Sequence, residues 1–305
     1  MIEIPVNPDL SENVDYNNKN FPAYIRKGIL SNYHDYRAIC HWHTDFEFIY
    51  VYDGSMKYSV NGSVISLSPG QGVFINSNCL HFGFSDTRSE CHFLCVLLHP
   101  SLLSSNPYFQ ETILTPLTEN SKLPYIRLLH SYAWQNSIIL ELLRIENTLG
   151  KENEALNIIQ SFINILSLII NHANIPTASI QNDDELSSLT AMIGYVQQNY
   201  TDKISIDTLS SVGNCCKTKC NGLFRKYLHM TPLMYLTSYR LEKSTDMLTN
   251  SFASISEIAY ASGFSNSSYF CETFNKHYGT TPKQYRMQFL NVKRPESSDK
   301  EAVKS

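Results

Sequence analysis

The sequence has no uninterrupted run of 18 or more apolar residues, and residues 1–20 are polar and acidic rather than basic and then apolar. The first absence predicts that no segment spans a membrane, and the second argues against a secretory signal. Eight cysteines are present, but none has the spacing of a zinc finger or ribbon. Reduced thiols in a cytoplasmic protein fit this pattern best. We interpret Cys215, Cys216 and Cys220 as small residues that fill helix faces. The alternative is a function in sensing redox state or metal.

Charge is unevenly distributed along the chain, although the net charge is only −4. Residues 1–185 hold 10 Lys and Arg against 19 Asp and Glu, whereas residues 186–290 hold 10 against 6. A basic C-terminal part on an acidic chain suits a module that meets phosphates. Because the excess is modest, we expect non-specific binding to nucleic acid to be weak and strongly dependent on salt.

The most informative segment is residues 258–286, which read IAYASGFSNSSYFCETFNKHYGTTPKQYR. Two short helical patterns are joined at Gly263, which supplies a turn, and Asn266 can cap the second helix. A short helix, a tight turn and a second capped helix are typical of a helix-turn-helix, which presents side chains to the DNA major groove. The alternative is an ordinary hairpin in a helical domain.

An internal repeat with a period of 50 residues argues against that alternative. Five features recur at this spacing: Gly213 and Gly263, Phe224 and Phe274, Lys226 and Lys276, Thr231-Pro232 and Thr281-Pro282, and Tyr235 and Tyr285. The repeat predicts two related helix-turn-helix units in the C-terminal part of the chain.

These motifs strongly resemble the signature of the AraC/XylS family of bacterial transcription regulators. The resemblance covers roughly residues 186–289, about a third of the chain. In that family one long helix bridges the two units, and Met234 to Thr249 has the apolar spacing for this bridge. The resemblance implies a partner, double-stranded DNA, and it implies an activator that recruits RNA polymerase, which is the commoner mode in the family.

The resemblance also implies which side chains meet DNA. In the first unit Cys216 occupies the helix-cap position, and the candidates that follow it are Lys217, Thr218, Lys219, Asn221, Arg225 and Lys226. In the second unit the matching candidates are Ser265, Asn266, Ser267, Ser268 and Tyr269. Lysine can donate to guanine and asparagine can pair with adenine, whereas the cations a turn later suit phosphates. For the lysines, the alternative is a solvated helix face.

Two positions depart from the family, which commonly has an arginine where this chain has Gly222 in the first unit and Glu272 in the second. The glycine costs its helix about 1 kcal/mol relative to alanine. The glutamate repels phosphates. We therefore expect the first unit to supply most of the sequence readout and the second mainly to position the protein.

Short strand patterns separated by turn signals dominate the N-terminal part. They lie at residues 46–52, 56–60, 64–67, 73–76, 81–84 and 91–98. Asn61-Gly62, between the second and third patterns, is the strongest short hairpin signal. This spacing predicts an antiparallel barrel or jelly roll. The predicted fold class is therefore α+β and multidomain, with an N-terminal barrel and an all-α C-terminal domain.

Residues 41–54 contain the pattern H-x-H-x₃-E-x₆-G, formed by His41, His43 and Glu47, and His81 follows downstream. This pattern is similar to the two motifs of the cupin barrel, although the glycine ahead of the first histidine is absent. Side chains alternate along a strand, so the two histidines and the glutamate share one face. Trp42 points to the opposite face, where we expect it to pack in the core.

In many AraC-type regulators such a barrel holds a small effector and has no catalytic activity. This resemblance makes His41, His43, Glu47 and His81 the effector-binding candidates, with a sugar or an organic acid as the type of ligand. It implies no enzymatic activity and no cofactor. Three imidazoles and one carboxylate could instead bind a divalent metal, as they do in enzymatic cupins. A purely structural role is the third reading.

Two helical patterns follow the strands, at residues 137–149 and 154–172. The second is apolar almost all round, so it must be buried against something. In regulators of this type such a hairpin pairs two subunits, and within one chain it could equally pack under the barrel; we favour a homodimer. Residues 174–185 read as a linker and the tail as disordered.

The sequence thus predicts a cytoplasmic, DNA-binding transcription regulator controlled by a small polar effector. The predicted domains are a barrel (1–125), a dimerisation hairpin (126–173), a linker (174–185), a double helix-turn-helix (186–290) and a tail (291–305). Two alternatives from other classes stay open. One is a metal-dependent cupin enzyme or metal sensor fused to a DNA-binding module, and the other is a DNA-binding protein that responds to no ligand.

Overall fold

The computed structural model describes residues 4–7, 9–173 and 184–292. These residues form two compact units. The first takes the residues up to 194 together with 222–229, and the second takes 195–221 together with those from 230 onward. Most of the predicted linker (174–183) and the predicted tail from residue 293 onward lie outside the described residues.

Two antiparallel sheets form the N-terminal part of the first unit. Their strands are β1 Ala23–Ile29, β2 Phe46–Gly54, β3 Met56–Val60, β4 Ser63–Leu67, β5 Gly72–Ile75, β6 His81–Phe84, β7 Cys91–Leu98 and β8 Tyr125–Leu128. The larger sheet has the order β1-β7-β2-β5-β8, and the smaller has the order β4-β3-β6. The predicted antiparallel β-domain is confirmed, as a pair of facing sheets.

Strand β2 shows how the sequence builds this arrangement. Its register pairs Phe48 with Phe74 of β5 and with Val96 of β7. Phe46 and Phe48 face a core that includes helical side chains. Ile49 and Val51 belong to a second core with residues of the smaller sheet. Since alternate residues of a strand point to opposite faces, β2 lies between two apolar layers.

The helices of the first unit follow β7 and β8. They are α1 Pro107–Phe109, α2 Thr115–Thr118, α3 Ala133–Thr148 and α4 Glu154–His172, with a π-helical stretch at Gln110–Leu114. Helices α3 and α4 pack on the larger sheet through buried side chains such as Ile138, Ile145 and Phe162. Among the described helices, α4 is the one long and apolar enough to cross a membrane. Its buried residues contact the sheet, as in the core helix of a globular domain.

Seven further helices follow. They are α5 Asp184–Asn199, α6 Ile206–Val212, α7 Lys217–Leu228, α8 Pro232–Asn250, α9 Ile255–Ala261, α10 Ser267–Tyr278 and α11 Pro282–Val292. The predicted 50-residue repeat is reproduced, since α7 and α10 begin 50 residues apart, as do α8 and α11. The long helix predicted to bridge the two units is α8. It extends beyond the predicted range, Met234 to Thr249, at both ends.

Side-chain caps define where the helices of the second unit begin. Ser254 and Glu257 form a capping box at α9, each side chain accepting the other's backbone N–H. The Asn266 side chain accepts from the backbone N–H of Tyr269 at 2.7 Å, as the sequence predicts. Between these two helices Gly263 has φ +86, a left-handed conformation that favours glycine. These local signals fix the turn of the second helix-turn-helix.

The structure departs from the sequence prediction at four places. Strand β8 pairs with β5, so the sheet continues past residue 125 into the segment predicted as helical. Helix α3 begins at Ala133, one turn before the predicted start. Strand β1 pairs with β7 at the edge of the larger sheet and was not predicted. The α4 pattern is also not buried all round, because Leu156 is 65 % exposed and Ile163 is 46 % exposed.

We expect Phe274→Ala to lower the free energy of unfolding of the C-terminal unit by about 3–5 kcal/mol. Phe274 is completely buried and packs edge-on against Phe270 and Tyr285. The matched control is Phe252→Ala, because Phe252 is 100 % exposed and should change stability by less than about 0.5 kcal/mol. Urea unfolding of the full chain measures both variants, and equal losses would contradict the packing described for this core.

We expect Gly222→Ala to raise the free energy of unfolding by about 0.4–1 kcal/mol, because alanine lowers the entropy of the unfolded chain. Gly222 is inside α7, and a Cβ built there has nothing within 4 Å. Gly263→Ala is the opposite control, since φ is +86 and its Cβ would lie 2.6 Å from the Tyr200 carbonyl oxygen. That variant should lose more than about 1 kcal/mol. A destabilising Gly222→Ala would show that this position is constrained.

Candidate functional site

The four predicted effector residues meet inside the N-terminal part of the first unit. His41 and His81 form an isolated antiparallel bridge. The backbone N–H of each donates to the carbonyl of the other, at 3.1 and 2.8 Å. His43 is two residues further along the same segment, so it shares the face of His41. Glu47 follows on β2, and its side chain points to this same interior.

The four side chains are in direct contact. The imidazole centroid of His81 lies 4.4 Å from that of His41 and 4.8 Å from that of His43. Oε2 of Glu47 lies 2.5 Å from Nε2 of His81 and 3.5 Å from Nε2 of His43. Every one of the four residues is at most 5 % exposed. We call these residues, His41, His43, Glu47 and His81, the histidine–glutamate cluster.

The two oxygens of Glu47 have different surroundings. Oε1 accepts a hydrogen bond from the hydroxyl of Tyr58 at 2.7 Å, and the Cys95 thiol lies 3.7 Å away. Oε2 faces the histidines and has no aligned hydrogen bond within the described residues. The same holds for Nε2 of His43 and of His81. Buried polar atoms normally have partners, so these three atoms require an explanation.

The cluster is electrostatically unusual. Burial, together with the neighbouring His81 and His43, lowers the pKa of His41 to about 3. Burial acts to raise the pKa of Glu47, but His81 and His43 outweigh it and hold that pKa well below its usual range. Burial also acts to lower the pKa of His43, but the adjacent Glu47 carboxylate outweighs it and raises that pKa. The centre therefore holds a buried carboxylate ion and a neutral His41.

Three side chains outside the predicted set complete the surroundings. Oε2 of Glu12 lies 3.3 Å from Nε2 of His41, and burial raises the pKa of Glu12 to about 7. Oδ2 of Asp45 lies 3.8 Å from Nδ1 of His43, and the hydroxyl of Tyr16 donates to Asp45 at 2.9 Å. Strand alternation could have indicated Asp45, which shares the parity of His43 and Glu47. Glu12 and Tyr16 come from a distant segment that carries no such signal.

A separate cavity of about 660 Å³ lies in the first unit and contains none of the four cluster residues. Polar groups along it include Asp9, Asn61, Ser77 and Asn120. Trp42 lines it as well, and its indole N–H donates to the Asp9 carbonyl. Trp42 is only partly buried, so the expectation that it packs in the core is wrong. The cavity has a volume typical of sites for small organic molecules.

The DNA-contact candidates of the first helix-turn-helix lie along α7. Lys217, Thr218 and Lys219 are exposed on its first turn. The thiol of Cys216 accepts from the backbone N–H of Lys219 at 3.5 Å, so cysteine occupies the predicted cap position. Lys217 forms a surface ion pair with Asp207 at 2.5 Å, and such exposed pairs are worth little.

Two of the three remaining candidates on α7, Asn221 and Lys226, form side-chain contacts within the protein. The side-chain amide of Asn221 donates to the Lys217 carbonyl at 3.0 Å, and Asn221 is only partly exposed. Lys226 pairs with Glu185 at 2.8 Å, and this contact raises its pKa. Arg225 is exposed in the last part of the helix. The exposed cationic group closest to the start of α7 is therefore the pair Lys217 and Lys219.

In the second helix-turn-helix the candidates begin α10. Ser265, Asn266 and Ser268 are exposed, and Tyr269 is 50 % exposed. Ser267 is partly exposed and its hydroxyl lies 3.3 Å from that of Ser256. This turn carries no cation, so it differs chemically from the start of α7.

Comparison with known proteins agrees with this two-part architecture. Residues 27–131 match the AraC-like ligand binding domain, and residues 213–288 match a helix-turn-helix domain family. All four residues of the histidine–glutamate cluster lie within the first match. The predicted DNA-contact residues of both units lie within the second.

Relatives over most of the length are transcription regulators. The uncharacterized regulator YdeC of Bacillus subtilis (strain 168) is 24 % identical over 92 % of this chain and 97 % of its own. The melibiose operon regulatory protein of Escherichia coli (strain K12) is 23 % identical over 81 % of this chain and 82 % of its own. Fatty acid-bound ToxT of Vibrio cholerae covers 92 % of this chain and 100 % of its own, with 13 % identity and a TM-score of 0.39.

The family matches and the full-length relatives carry the assignment that the repeated helix-turn-helix motif predicts. The chain belongs to the AraC/XylS family of transcription regulators, with an N-terminal ligand-binding domain and a C-terminal helix-turn-helix DNA-binding domain.

Proposed function

We propose that this regulator activates transcription at a specific operator when a small polar ligand binds its N-terminal domain through His41, His43, Glu47 and His81. The observation that carries the proposal is the placement of a buried, incompletely satisfied polar cluster inside the domain whose family match is to ligand binding. Such groups are costly to bury, so they favour a function in recognition over a function in packing. We propose activation, and not repression, because relatives such as RhaS are named as transcriptional activators.

The N-terminal domain acts as a sensor and not as an enzyme. The four side chains of the cluster offer hydrogen-bonding groups to the ligand, for which a sugar or an organic acid is the proposed type. The separate cavity of about 660 Å³ contains none of these four residues and is not the site proposed here. Regulation that is unchanged in the combined alanine variant of His41, His43 and Glu47 would favour a DNA-binding protein that responds to no ligand.

The first helix-turn-helix supplies most of the base readout. Lys217 and Lys219 are exposed at the start of α7, where a recognition helix meets base edges. The start of α10 offers hydroxyl and amide groups, and Glu272, exposed further along that helix, opposes phosphates. The second unit therefore positions the protein on its operator, with half-sites about one helical turn apart.

We expect selection from a random double-stranded DNA library, run on the full chain at two salt concentrations, to recover a motif. The combined variant Lys217→Ala and Lys219→Ala should bind that motif at least about tenfold more weakly, because each good base contact contributes about 1–3 kcal/mol of discrimination. The motif that this variant selects should be degenerate at one half-site.

The control is Lys19→Ala with Lys151→Ala, which removes the same charge from exposed positions of the N-terminal unit. This control should keep both the motif and the affinity, apart from a small electrostatic loss. If the α7 variant selected the same motif with unchanged affinity, the first unit would not be the main reader of sequence.

The active form is a homodimer paired through α3 and α4. Leu140 on α3 and Leu156 and Ile163 on α4 are 57, 65 and 46 % exposed, although each is a large apolar side chain. Leu156 and Ile163 are seven residues apart, so they lie on one helix face. An exposed apolar face of this kind suits an interface with a second copy.

We expect Leu156→Glu with Ile163→Glu to convert the protein from the mass of two chains to the mass of one in analytical ultracentrifugation. The introduced charges would be buried and unpaired in a dimer. Leu233→Glu, at a residue 51 % exposed on α8, is the control and should leave the mass unchanged. A wild-type protein that sediments as one chain would contradict this interface.

One further partner and a cellular location complete the proposal. An activator must recruit RNA polymerase, and DNA binding places the protein in the cytoplasm of a bacterial cell. An in vitro transcription reaction with the recovered operator upstream of a promoter tests the first point. Unchanged transcript levels at saturating protein would count against activation.

A further inference from the structure

The cavity of about 660 Å³ has no part in the function proposed above. Its lining comes from the segment around Trp42, from loops of the β-domain and from the first turns of α5, and all of these residues belong to the first unit. Trp42 lies between His41 and His43 in the sequence. Because side chains alternate along that segment, the indole points away from the histidine–glutamate cluster and towards the cavity.

Trp42 gives the cavity an aromatic wall that is held in place. Its backbone N–H donates to the Leu10 carbonyl at 3.0 Å, and its carbonyl accepts from the Glu12 N–H at 2.8 Å. The indole N–H donates to the Asp9 carbonyl at 2.9 Å. Backbone and ring are therefore both fixed by the protein, while part of the indole stays exposed. A ligand that stacks on this ring loses little free energy to side-chain ordering.

Uncharged polar groups from other elements line the same cavity. Ser187 and Thr190 are three residues apart on α5, so they share one face of that helix. Asn78 lies on a turn whose backbone N–H donates to the His43 carbonyl at 2.8 Å. Within the described residues, the side chains of Asn78, Ser187 and Thr190 form no hydrogen bond with another protein group. Hydroxyl and amide groups both donate and accept, which matches the hydroxyls of a sugar.

The charge of the lining disfavours an anionic ligand. The hydroxyl and backbone N–H of Ser11 donate to Oδ1 of Asp9 at 2.6 and 2.9 Å, and these bonds lower the pKa of Asp9. Glu119 is a second, exposed carboxyl group of the lining. Among the residues that the structure describes, no lysine, arginine or histidine lines the cavity. A carboxylate or phosphate ligand would therefore meet repulsion and no compensating cation.

We propose that this cavity binds a neutral saccharide of one or two rings, with an apolar ring face on Trp42 and hydroxyls on Asn78, Ser187 and Thr190. The volume lies within the range of about 300–1,000 Å³ for small-molecule sites, which combine apolar walls with a few placed polar groups. The saccharide is a second ligand of the chain, additional to the one proposed for the histidine–glutamate cluster. Its binding stands independently of DNA binding.

The test uses the tryptophan fluorescence of the full chain. The sequence has two tryptophans, so Trp134→Phe leaves Trp42 as the only one, and its emission then reports on the cavity. The probes are glucose, galactose, maltose and lactose. We expect a saturable change in emission with at least one of them, at a Kd of about 1 mM or tighter. Glucuronate and galacturonate keep the sugar rings and add a negative charge, so they should bind at least about tenfold more weakly.

Two changes on α5 test the contacts in the same background. Ser187→Ala with Thr190→Val removes two hydroxyls and should weaken saccharide binding at least about fivefold, the loss expected for two hydrogen bonds. Ser188→Ala is the matched control, because Ser188 is the next residue on the same helix and does not line the cavity, so binding should be unchanged. Circular dichroism of each variant separates loss of binding from loss of fold. Equal affinity in the double variant and the control would contradict the proposed contacts.

Glu47→Gln distinguishes this cavity from the histidine–glutamate cluster. It removes the charge at the centre of the cluster and changes no residue of the cavity lining, so saccharide binding should persist. Binding that is lost in Glu47→Gln but kept in the double variant of α5 would place the saccharide at the cluster and overturn the proposal. The absence of a saturable change with every one of the four sugars, up to about 20 mM in folded protein, would overturn it as well.

Discussion

The two-faced burial of strand β2 is the constraint on which the N-terminal unit depends. Phe46 and Phe48 face the core beneath α3 and α4, while Glu47 faces the interior between the two sheets. Because side chains alternate with a period of two, a slip of one residue would exchange these faces. The carboxylate would then lie against the apolar helices. The pairing of β2 with β5 and β7 therefore holds the core and the histidine–glutamate cluster in place together.

The composition of that interior is uneven in a way that packing alone does not explain. Most of the layer between the sheets is apolar, with Ile49, Val51 and Val73 all at most 2 % exposed. At one end of it, three imidazoles surround a carboxylate whose pKa they hold down. Buried charges are usually paired or bind ions, and apolar residues of similar volume often replace a buried ion pair without loss of stability. The polar end of the layer therefore costs stability that apolar residues would not, which supports the proposed ligand-binding role of the cluster.

The sequence was most informative where the signals are local. Asn266 and Gly263 predicted the second helix-turn-helix, and the strands around the Asn61-Gly62 hairpin were predicted to within a residue or two. Strand β1 was missed because it is an edge strand with charged residues at positions 26 and 27, where tertiary pairing outweighs local pattern. Strand β8 was missed because four residues are too few to show the period of a strand, and the strand is defined by its pairing with β5.

The cluster shows the same division between local and long-range information. Strand parity united His41, His43 and Glu47 from sequence, since their relation depends only on alternation. His81 had to be joined through a resemblance, and its contact with His41 depends on a backbone bridge across 40 residues. Glu12 and Tyr16 reach the cluster from a segment with no regular pattern, so no periodic signal could have indicated them. Pairing between distant segments sets these positions, and one sequence does not determine it by pattern alone.

The two helix-turn-helix units show how a repeated frame can carry different chemistry. The buried phenylalanines Phe224 and Phe274 recur at the repeat distance and are completely buried, so packing holds both helices to one geometry. The exposed first turns meet no such requirement, and they have diverged to lysines in α7 and to serines and tyrosine in α10. In the N-terminal domain the side chains proposed to bind the ligand are themselves buried, so they cannot change without repacking. Readout on α7 and α10 can therefore vary independently of the fold, whereas the histidine–glutamate cluster cannot.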